Sequence, residues 1–188
     1  MAVTNVLISG VGGQGAVLVS ELLAQAALAA GNDVKQGEFH GVAQRGGAVF
    51  SHVRYGDRVY SPVARQGEVD YLLALEKLEA LRYAHFLRPD GTIIVNDHKV
   101  EPIRTGDERP YPEDAIEFLG GKGFKVLAAK ATEIAMELGN HRAANVVLLG
   151  ALSGLIDIPL EVWESTLERL PEHILTLNQQ AFAAGRQL

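Results

Sequence analysis

Two glycine-rich segments contain the residue types in this sequence that are best suited to binding an anion. The first, residues 10–15 (GVGGQG), fits the pattern G-x-G-x-x-G through Gly10, Gly12 and Gly15. In a dinucleotide-binding turn, these glycines permit the tight turn, the approach of a ligand to the backbone, and the packing of the helix on the strand. Amide groups and the dipole at the start of that helix favour an anion. The pattern leaves open a dinucleotide, another phosphate or partner contact, and a turn that only packs.

The second segment, residues 37–47, places polar side chains on a backbone with four glycines. Its candidate residues are Glu38, His40, Gln44, Arg45, Gly46 and Gly47. Arg45 offers a planar cation with five N–H donors, which suits phosphate or carboxylate, so it is our first candidate for an anion contact. The backbone amides of residues 12–15 are the second. His40 is either a proton carrier or a structural hydrogen-bonding histidine. The alternative interpretation of the whole segment is a solvated surface loop.

The scaffold for both segments follows from the alternation of apolar runs and helical periodicity. Strands are predicted at residues 5–9, 33–36, 48–54, 69–75, 92–96 and 125–129. Helices are predicted at residues 14–30, 76–86, 110–119, 131–138, 142–153, 159–170 and 171–184.

The regular alternation predicts the fold class. Residues 37–47 are expected to form a loop, residues 58–60 the return strand of a hairpin, and residues 88–91 a turn. Strands that alternate with helices predict an α/β fold, a doubly wound, Rossmann-like and mostly parallel sheet with C-terminal helices. We expect residues 1–188 to form a single domain.

The fold class brings the two segments together. In open α/β sheets, ligands bind beyond the carboxyl ends of the strands, and both segments follow predicted strands there. A dinucleotide fold usually ends its second strand with an acid that holds the ribose. Here that strand ends in residues 35–37 (KQG), and the nearest acid is Glu38. This weakens the dinucleotide interpretation.

Composition excludes several classes of function. The 188 residues carry a formal net charge of -6 and include no cysteine. The acidic balance argues against a nucleic-acid or anionic-membrane surface. Without cysteine the chain has no disulfide, no thiol nucleophile and no thiolate ligands for an iron–sulfur cluster. The histidines do not show a zinc-binding spacing, so we expect no metal site. The N-terminal residues resemble a first strand and not a signal peptide, so we expect a cytoplasmic protein.

Four segments carry a resemblance to a known family. Residues 10–15, residues 38–41 (EFHG), residues 44–47 (QRGG) and residues 145–150 (NVVLLG) resemble the gamma domain of pyruvate and ketoisovalerate ferredoxin oxidoreductases. The resemblance covers essentially the full length. A separate, cysteine-free chain of this size most resembles the smaller subunits of indolepyruvate:ferredoxin oxidoreductases. The combination of motifs is specific to the superfamily and less specific to the substrate.

The resemblance implies a subunit that cannot run its reaction alone. Members of the family oxidise a 2-oxoacid with coenzyme A and ferredoxin, giving acyl-coenzyme A, carbon dioxide and reduced ferredoxin. Their thiamine-diphosphate sites carry Gly-Asp-Gly, whereas here the Gly-Asp pairs occur as residues 56–58 (GDR) and 106–108 (GDE). We therefore expect thiamine diphosphate, Mg and [4Fe-4S] clusters on a large alpha subunit, coenzyme A as co-substrate and ferredoxin as electron acceptor.

The expected site on this chain is one of binding and not of catalysis. The cofactor-binding candidates are Gly10, Gly12, Gly13, Gln14, Gly15, Gln44, Arg45, Gly46 and Gly47, and the substrate or interface candidates are Glu38, His40 and Asn145. Asn145 either caps an apolar helix or reaches the interface. The two segments would complete the pocket for coenzyme A or substrate, or shield the thiamine site from water. The alternatives are a stand-alone dinucleotide-binding protein and a purely structural assembly subunit.

Overall fold

The computed structural model describes residues 3–40, 47–101 and 110–188. Within them the chain forms six strands and seven α-helices. The strands are β1 (Thr4–Val11), β2 (Asp33–His40), β3 (Ala48–Gly56), β4 (Val69–Ala74), β5 (Leu87–Asn96) and β6 (Lys125–Ala129). The helices are α1 (Ala16–Ala29), α2 (Lys77–Tyr83), α3 (Ala115–Gly121), α4 (Ala131–Glu137), α5 (Ala144–Ser153), α6 (Leu160–Leu167) and α7 (Glu172–Gly185). Short 3-10 helices are formed by Ala84–Phe86 and His141–Ala143.

The strands form one mixed sheet in the order β2-β3-β1-β4-β5-β6. Strands β1, β4, β5 and β6 are parallel to one another. Strand β3 is antiparallel to both neighbours, β1 and β2, so β2 points in the same direction as β1. The predicted mostly parallel sheet is confirmed, with a reversed strand inserted between the first two. The register places Gly10, Val49 and His40 side by side across β1, β3 and β2.

Helices cover both faces of the sheet, as the doubly wound prediction requires. Val6, Leu7 and Ile8 of β1 are all fully buried, because successive side chains enter two different apolar cores. The core around Val6 and Ile8 includes residues of α1, α4, α5, α6 and α7, and the core around Leu7 includes residues of α2 and α3. Among the described residues, no helix is long and apolar enough to cross a bilayer.

Helix α5 is enclosed by the rest of the protein. All of its residues are buried, and α7 packs closely against it where both helices carry glycine. A Cβ atom on Gly185 would clash with the carbonyl oxygen of Val147, and one on Gly150 would clash with that of Phe182. This contact holds α5 in a fixed position on the sheet, with its first turn near the carboxyl ends of the strands.

Most predicted elements are confirmed, and four predictions differ from the structure. Strand β2 continues to His40, so residues 37–40 are strand and not loop, because they pair with β3. Residues 58–60 form no return strand, since β3 pairs with β1 and β2 instead. Residues 88–91 lie inside β5 and not in a separate turn, although Asp90 has a positive φ of 65°. Helix α3 begins at Ala115 and not at residue 110.

Candidate functional site

The glycine turn after β1 satisfies much of its own hydrogen-bonding capacity. The amide of Val11 donates to Oε1 of Gln14 at 2.7 Å, and the amide of Gln14 donates to the carbonyl of Val11 at 3.1 Å. The amide of Gly12 donates to the carbonyl of Gly47 at 2.8 Å. These amides are used inside the protein and are not offered to a ligand. The amides of Gly13 and Gly15 remain the candidates for an anion contact in this turn.

Gly15 joins the turn to a distant part of the chain. Its φ of 82° lies in the left-handed region, and a Cβ there would clash with Nδ2 of Asn145. Nδ2 of Asn145 donates to the carbonyl of Gly15 at 3.3 Å, across 130 residues of sequence. Ala143 holds the cap position of α5, so of the two alternatives for Asn145 the helix cap is wrong. Asn145 instead fixes the turn against the first turn of α5.

A cleft of about 320 Å³ opens beside the turn at the carboxyl edge of the sheet. Gly13 and Gln14 line it from the turn, and Asn145 lines it from α5. Leu75 and Asn96 line it from the ends of β4 and β5. This position, beyond the carboxyl ends of parallel strands, is where open α/β sheets bind ligands. The volume is at the small end for a ligand pocket, so it suits part of a larger molecule.

Side-chain amides hold the inner surface of the cleft in place. The carbonyl of Leu75 accepts from Nε2 of Gln14 and from Nδ2 of Asn96, each at 3.3 Å. Asn96 is 3% exposed, and its Nδ2 also donates to Oγ1 of Thr132 at 2.9 Å. The amide of Thr132 donates back to Oδ1 of Asn96. Because these bonds connect the segments after β1 and β4 with β5 and α4, the cleft is a built feature and not a gap between loops.

The mouth of the cleft is rich in hydrogen-bond donors. His98, His141 and Arg142 line it, and within the described part of the chain its lining includes no Asp or Glu. Arg142 is always charged and presents a planar set of N–H donors, and each imidazole offers an N–H. A negatively charged group would therefore be favoured here, and a positively charged one would not.

Comparison with known proteins places the chain in a family. The sequence profile described as pyruvate ferredoxin/flavodoxin oxidoreductase matches residues 5–188. The chain belongs to this oxidoreductase family. It is 41% identical over 187 residues to indolepyruvate oxidoreductase subunit IorB of Archaeoglobus fulgidus, an alignment that covers 96% of this chain and 92% of the relative.

Other members of the oxidoreductase family agree with this placement. Indolepyruvate oxidoreductase subunit IorB of Thermococcus kodakarensis is 37% identical over 188 residues, covering 96% of this chain and 93% of the relative. The crystal structure of a keto/oxoacid ferredoxin oxidoreductase gamma subunit from Geobacter sulfurreducens superimposes with a TM-score of 0.75 at 28% identity, covering 98% of this chain and 96% of that subunit. The fold is therefore that of the family's gamma subunits.

The structure separates the residues that the sequence suggested for this oxidoreductase subunit. Gly13, Gln14 and Asn145 line the cleft. Glu38 and His40 lie on β2, exposed and two strands away from β1. Glu38 accepts a hydrogen bond from Nε2 of Gln36 at 3.2 Å. Those five residues therefore do not form one constellation within the described part of the chain.

The remaining candidates fall into two groups. Gly10, Gly12 and Gly15 shape the turn, and Gly47 contacts Gly12 through its carbonyl. Gln44, Arg45 and Gly46 lie outside the described residues, so their anion-binding role stays a prediction.

Several residues of the cleft were not predicted as site residues from the sequence. Asn96, His98, Thr132, His141 and Arg142 come from three separate parts of the chain. Asn96 ends a predicted strand and His98 follows it, so the rule that ligands bind at the carboxyl ends of strands applies to both. The 3-10 helix that carries His141 and Arg142 gives no such signal, because only the packing of α5 brings it to the cleft.

Proposed function

We propose that this chain is the small subunit of an indolepyruvate-type 2-oxoacid:ferredoxin oxidoreductase, and that its cleft binds an anionic part of coenzyme A. The assembled enzyme would convert an arylpyruvate, coenzyme A and oxidised ferredoxin into acyl-coenzyme A, carbon dioxide and reduced ferredoxin. The likeness to indolepyruvate oxidoreductase subunits along nearly the whole length of both chains supports the choice of enzyme.

The observation that carries the second half of the proposal is the charge of the cleft. Arg142 and two histidines line a cavity whose lining, as far as the chain is described, contains no carboxylate. Coenzyme A carries several phosphate oxygens, which pair well with a planar guanidinium. The cleft volume of about 320 Å³ suits the phosphate-bearing part of such a molecule and not the whole of it.

The groups that carry the redox chemistry belong, in this proposal, to a large partner subunit. The sequence has no cysteine and so no thiolate for an iron–sulfur cluster. Among the described residues there is no group of three or more His, Cys, Asp or Glu that could hold a metal ion. Thiamine diphosphate, magnesium and [4Fe-4S] clusters on the partner would supply decarboxylation and electron transfer to ferredoxin. This chain would bind and orient coenzyme A and exclude water.

Replacement of Arg142 by alanine in the assembled complex tests the assignment of the cleft. Arg142 is exposed, so the variant should fold and assemble normally. Loss of one charge-assisted hydrogen bond should raise the KM for coenzyme A by roughly tenfold, while the KM for the 2-oxoacid stays the same. Steady-state kinetics with one substrate varied at a time measures both values.

The matched control for this experiment is Arg169→Ala, which removes an exposed arginine that does not line the cleft. We expect its kinetics to equal those of the wild type. An unchanged KM for coenzyme A in both Arg142→Ala and His98→Ala would remove the cleft from the coenzyme A site. If such variants weakened subunit assembly without changing the kinetics of complexes that still form, the purely structural role would be favoured.

Two observations speak against a stand-alone dinucleotide-binding protein. Strand β3 separates β1 from β2, so an acid on β2 such as Glu38 lies two strand spacings, about 10 Å, from the glycine turn strand. A dinucleotide fold needs it on the adjacent strand. In addition, the amides of Val11 and Gly12 are already bonded within the protein. Tight binding of NADH or NADPH to the purified chain would reverse this conclusion.

A further inference from the structure

A short segment that follows β5 forms one side of the cleft. We call residues 97–101 the strap. Its residues His98 and Val100 line the cleft, so the position of the strap decides where the imidazole of His98 lies. The amide of Asp97 donates to the carbonyl of Ala129 at 2.7 Å, which attaches the start of the strap to the end of β6.

The first turn of α2 holds the strap from the other side. The amide of Lys77 donates to the carbonyl of His98 at 3.2 Å, and Nζ of Lys77 lies 3.2 Å from Oδ1 of Asp97. The side chain of Lys77 is 13% exposed, so this ion pair is partly shielded from solvent. Both contacts involve residues before Val100, and a third one fixes Val100 itself.

That third contact comes from the buried carboxylate of Glu76, which is 1% exposed. Its Oε1 accepts from the amide of Val100 at 3.2 Å, and its Oε2 accepts from the amide of Glu79 at 3.0 Å, which caps α2. The hydroxyl of Tyr111 donates to the same Oε1. Glu76 therefore joins the strap, the start of α2 and the segment before α3 through one carboxylate.

Tyr111 also contacts the strap directly. Nζ of Lys99 lies 4.7 Å from the centre of its ring, and the same Nζ pairs with Glu113 at 2.6 Å. Tyr111 is 8% exposed and does not line the cleft. Its ring thus supports the strap through Lys99, and its hydroxyl supports it through Glu76.

We propose that Glu76 and Tyr111 are positioning residues for ligand binding in the cleft, acting through the strap to set the place of His98. This inference rests on the function proposed above. Neither side chain lines the cleft, so neither can contact the ligand directly. A carboxylate taken out of water must keep its donors, because an unsatisfied buried charge is costly. Because the carboxylate of Glu76 must keep its hydrogen bond from the amide of Val100, it also holds that amide, and with it the strap, in place.

Tyr111→Phe is the sharper variant, because it removes one hydroxyl and leaves the ring that contacts Lys99. In the assembled complex we expect it to raise the KM for coenzyme A about threefold, with kcat within twofold of the wild type. Glu76→Gln should give a larger rise, since the amide group cannot satisfy Val100, Glu79 and Tyr111 together. Tyr60→Phe, at a tyrosine that is 83% exposed, is the matched control and should change nothing.

A double-mutant cycle with His98→Ala tests the route of the effect. If Tyr111 acts through His98, then Tyr111→Phe should cost little more in the background of His98→Ala. An unchanged KM in Tyr111→Phe, or effects of the two substitutions that add fully, would overturn the positioning role while leaving the cleft assignment intact. If His98→Ala and Arg142→Ala both leave the KM for coenzyme A unchanged, the proposed function fails, and the positioning role fails with it.

Discussion

His52 is a histidine held in an apolar environment at the centre of β3. It is 1% exposed, and the rings of Phe39, Phe50 and Phe86 lie at centroid distances of 5.9, 5.8 and 5.5 Å. Neither of its ring nitrogens has a hydrogen-bond partner among the described residues. Burial, with a smaller contribution from Arg54, lowers the pKa of His52 from 6.5 to about 4. The native state therefore keeps this imidazole neutral under conditions in which the unfolded chain protonates it.

Replacement of His52 by phenylalanine should remove part of the acid sensitivity of the fold. As the pH falls from 6.5 to 4, His52 of the unfolded wild type binds a proton, whereas His52 of the native state stays neutral. The free energy of unfolding of the wild type therefore decreases over this range. At 1.36 kcal/mol per pKa unit this loss is up to about 3 kcal/mol. Urea unfolding of the purified chain between pH 4.5 and 7.5 measures it. We expect His52→Phe to flatten this dependence and His173→Gln, at an exposed histidine, to retain it. Equal slopes in all three proteins would contradict the assignment.

The sequence predicts the environment of a residue where local alternation determines it, and not where distant parts of the chain determine it. The strand at residues 48–54 was predicted correctly, and the structure places Phe50 and Val53 in the separate cores on its two faces. Alternation also places His52 with Phe50, but it does not say that aromatic rings will surround it. In the same way, the contact of Asn145 with Gly15 spans 130 residues, and local pattern does not reveal such pairs.

At the scale of elements, the packing of α5 on α7 determines where one side of the cleft lies. Gly150 and Gly185 let the two helix backbones approach each other. The first turn of α5 brings Asn145 to the glycine turn, and the 3-10 helix before it brings Arg142 to the cleft. The helices themselves were predictable from periodicity. The contact between α5 and α7 was not predictable, because a glycine near a helix end also indicates the end of a helix.

Two glycine-to-alanine substitutions should have opposite effects on stability. Alanine favours a helix over glycine by up to about 1 kcal/mol. In Gly185→Ala this gain is outweighed, because the added methyl group would clash with the backbone carbonyl of Val147, so we expect a net loss of about 1–3 kcal/mol. In Gly120→Ala the new methyl group has no neighbour within 4 Å, so we expect a gain of about 0.5–1 kcal/mol. Thermal unfolding of both variants checks the signs, and a stabilised Gly185→Ala would refute the close-packing argument.

The order of the strands in the sheet could not be predicted from the sequence. Strand β3 was expected to form a hairpin with residues 58–60. That expectation was wrong, since β3 pairs with β2 on one side and with β1 on the other. Its residues Val53 and Tyr55 complete the core over α1, which makes this insertion favourable. The position of β3 between β1 and β2 becomes evident only from the side chains that the assembled sheet buries on its two faces.

At the scale of the whole molecule, one edge gathers the features that suit contact with a partner. The carboxyl ends of β1, β2, β4 and β5 all lie there, together with the cleft and the glycine turn. Val17 in the first turn of α1 and Phe39 near the end of β2 remain 40% and 37% exposed at this edge. In the function proposed above, the large subunit would cover this edge and close the cleft from outside.

The last prediction concerns the division of labour between the two subunits. The purified chain alone should show no ferredoxin reduction with any arylpyruvate and coenzyme A, because a chain without cysteine offers no thiolate ligands for an electron-carrying cluster. Titration of this chain into a fixed amount of the large subunit should raise turnover until it saturates at a constant ratio of the two. Heat-treated chain serves as the control. Turnover by this chain alone would end the proposal. Full turnover by the large subunit without this chain would show that the cleft takes no part in catalysis, because the reaction would then proceed in the absence of the cleft.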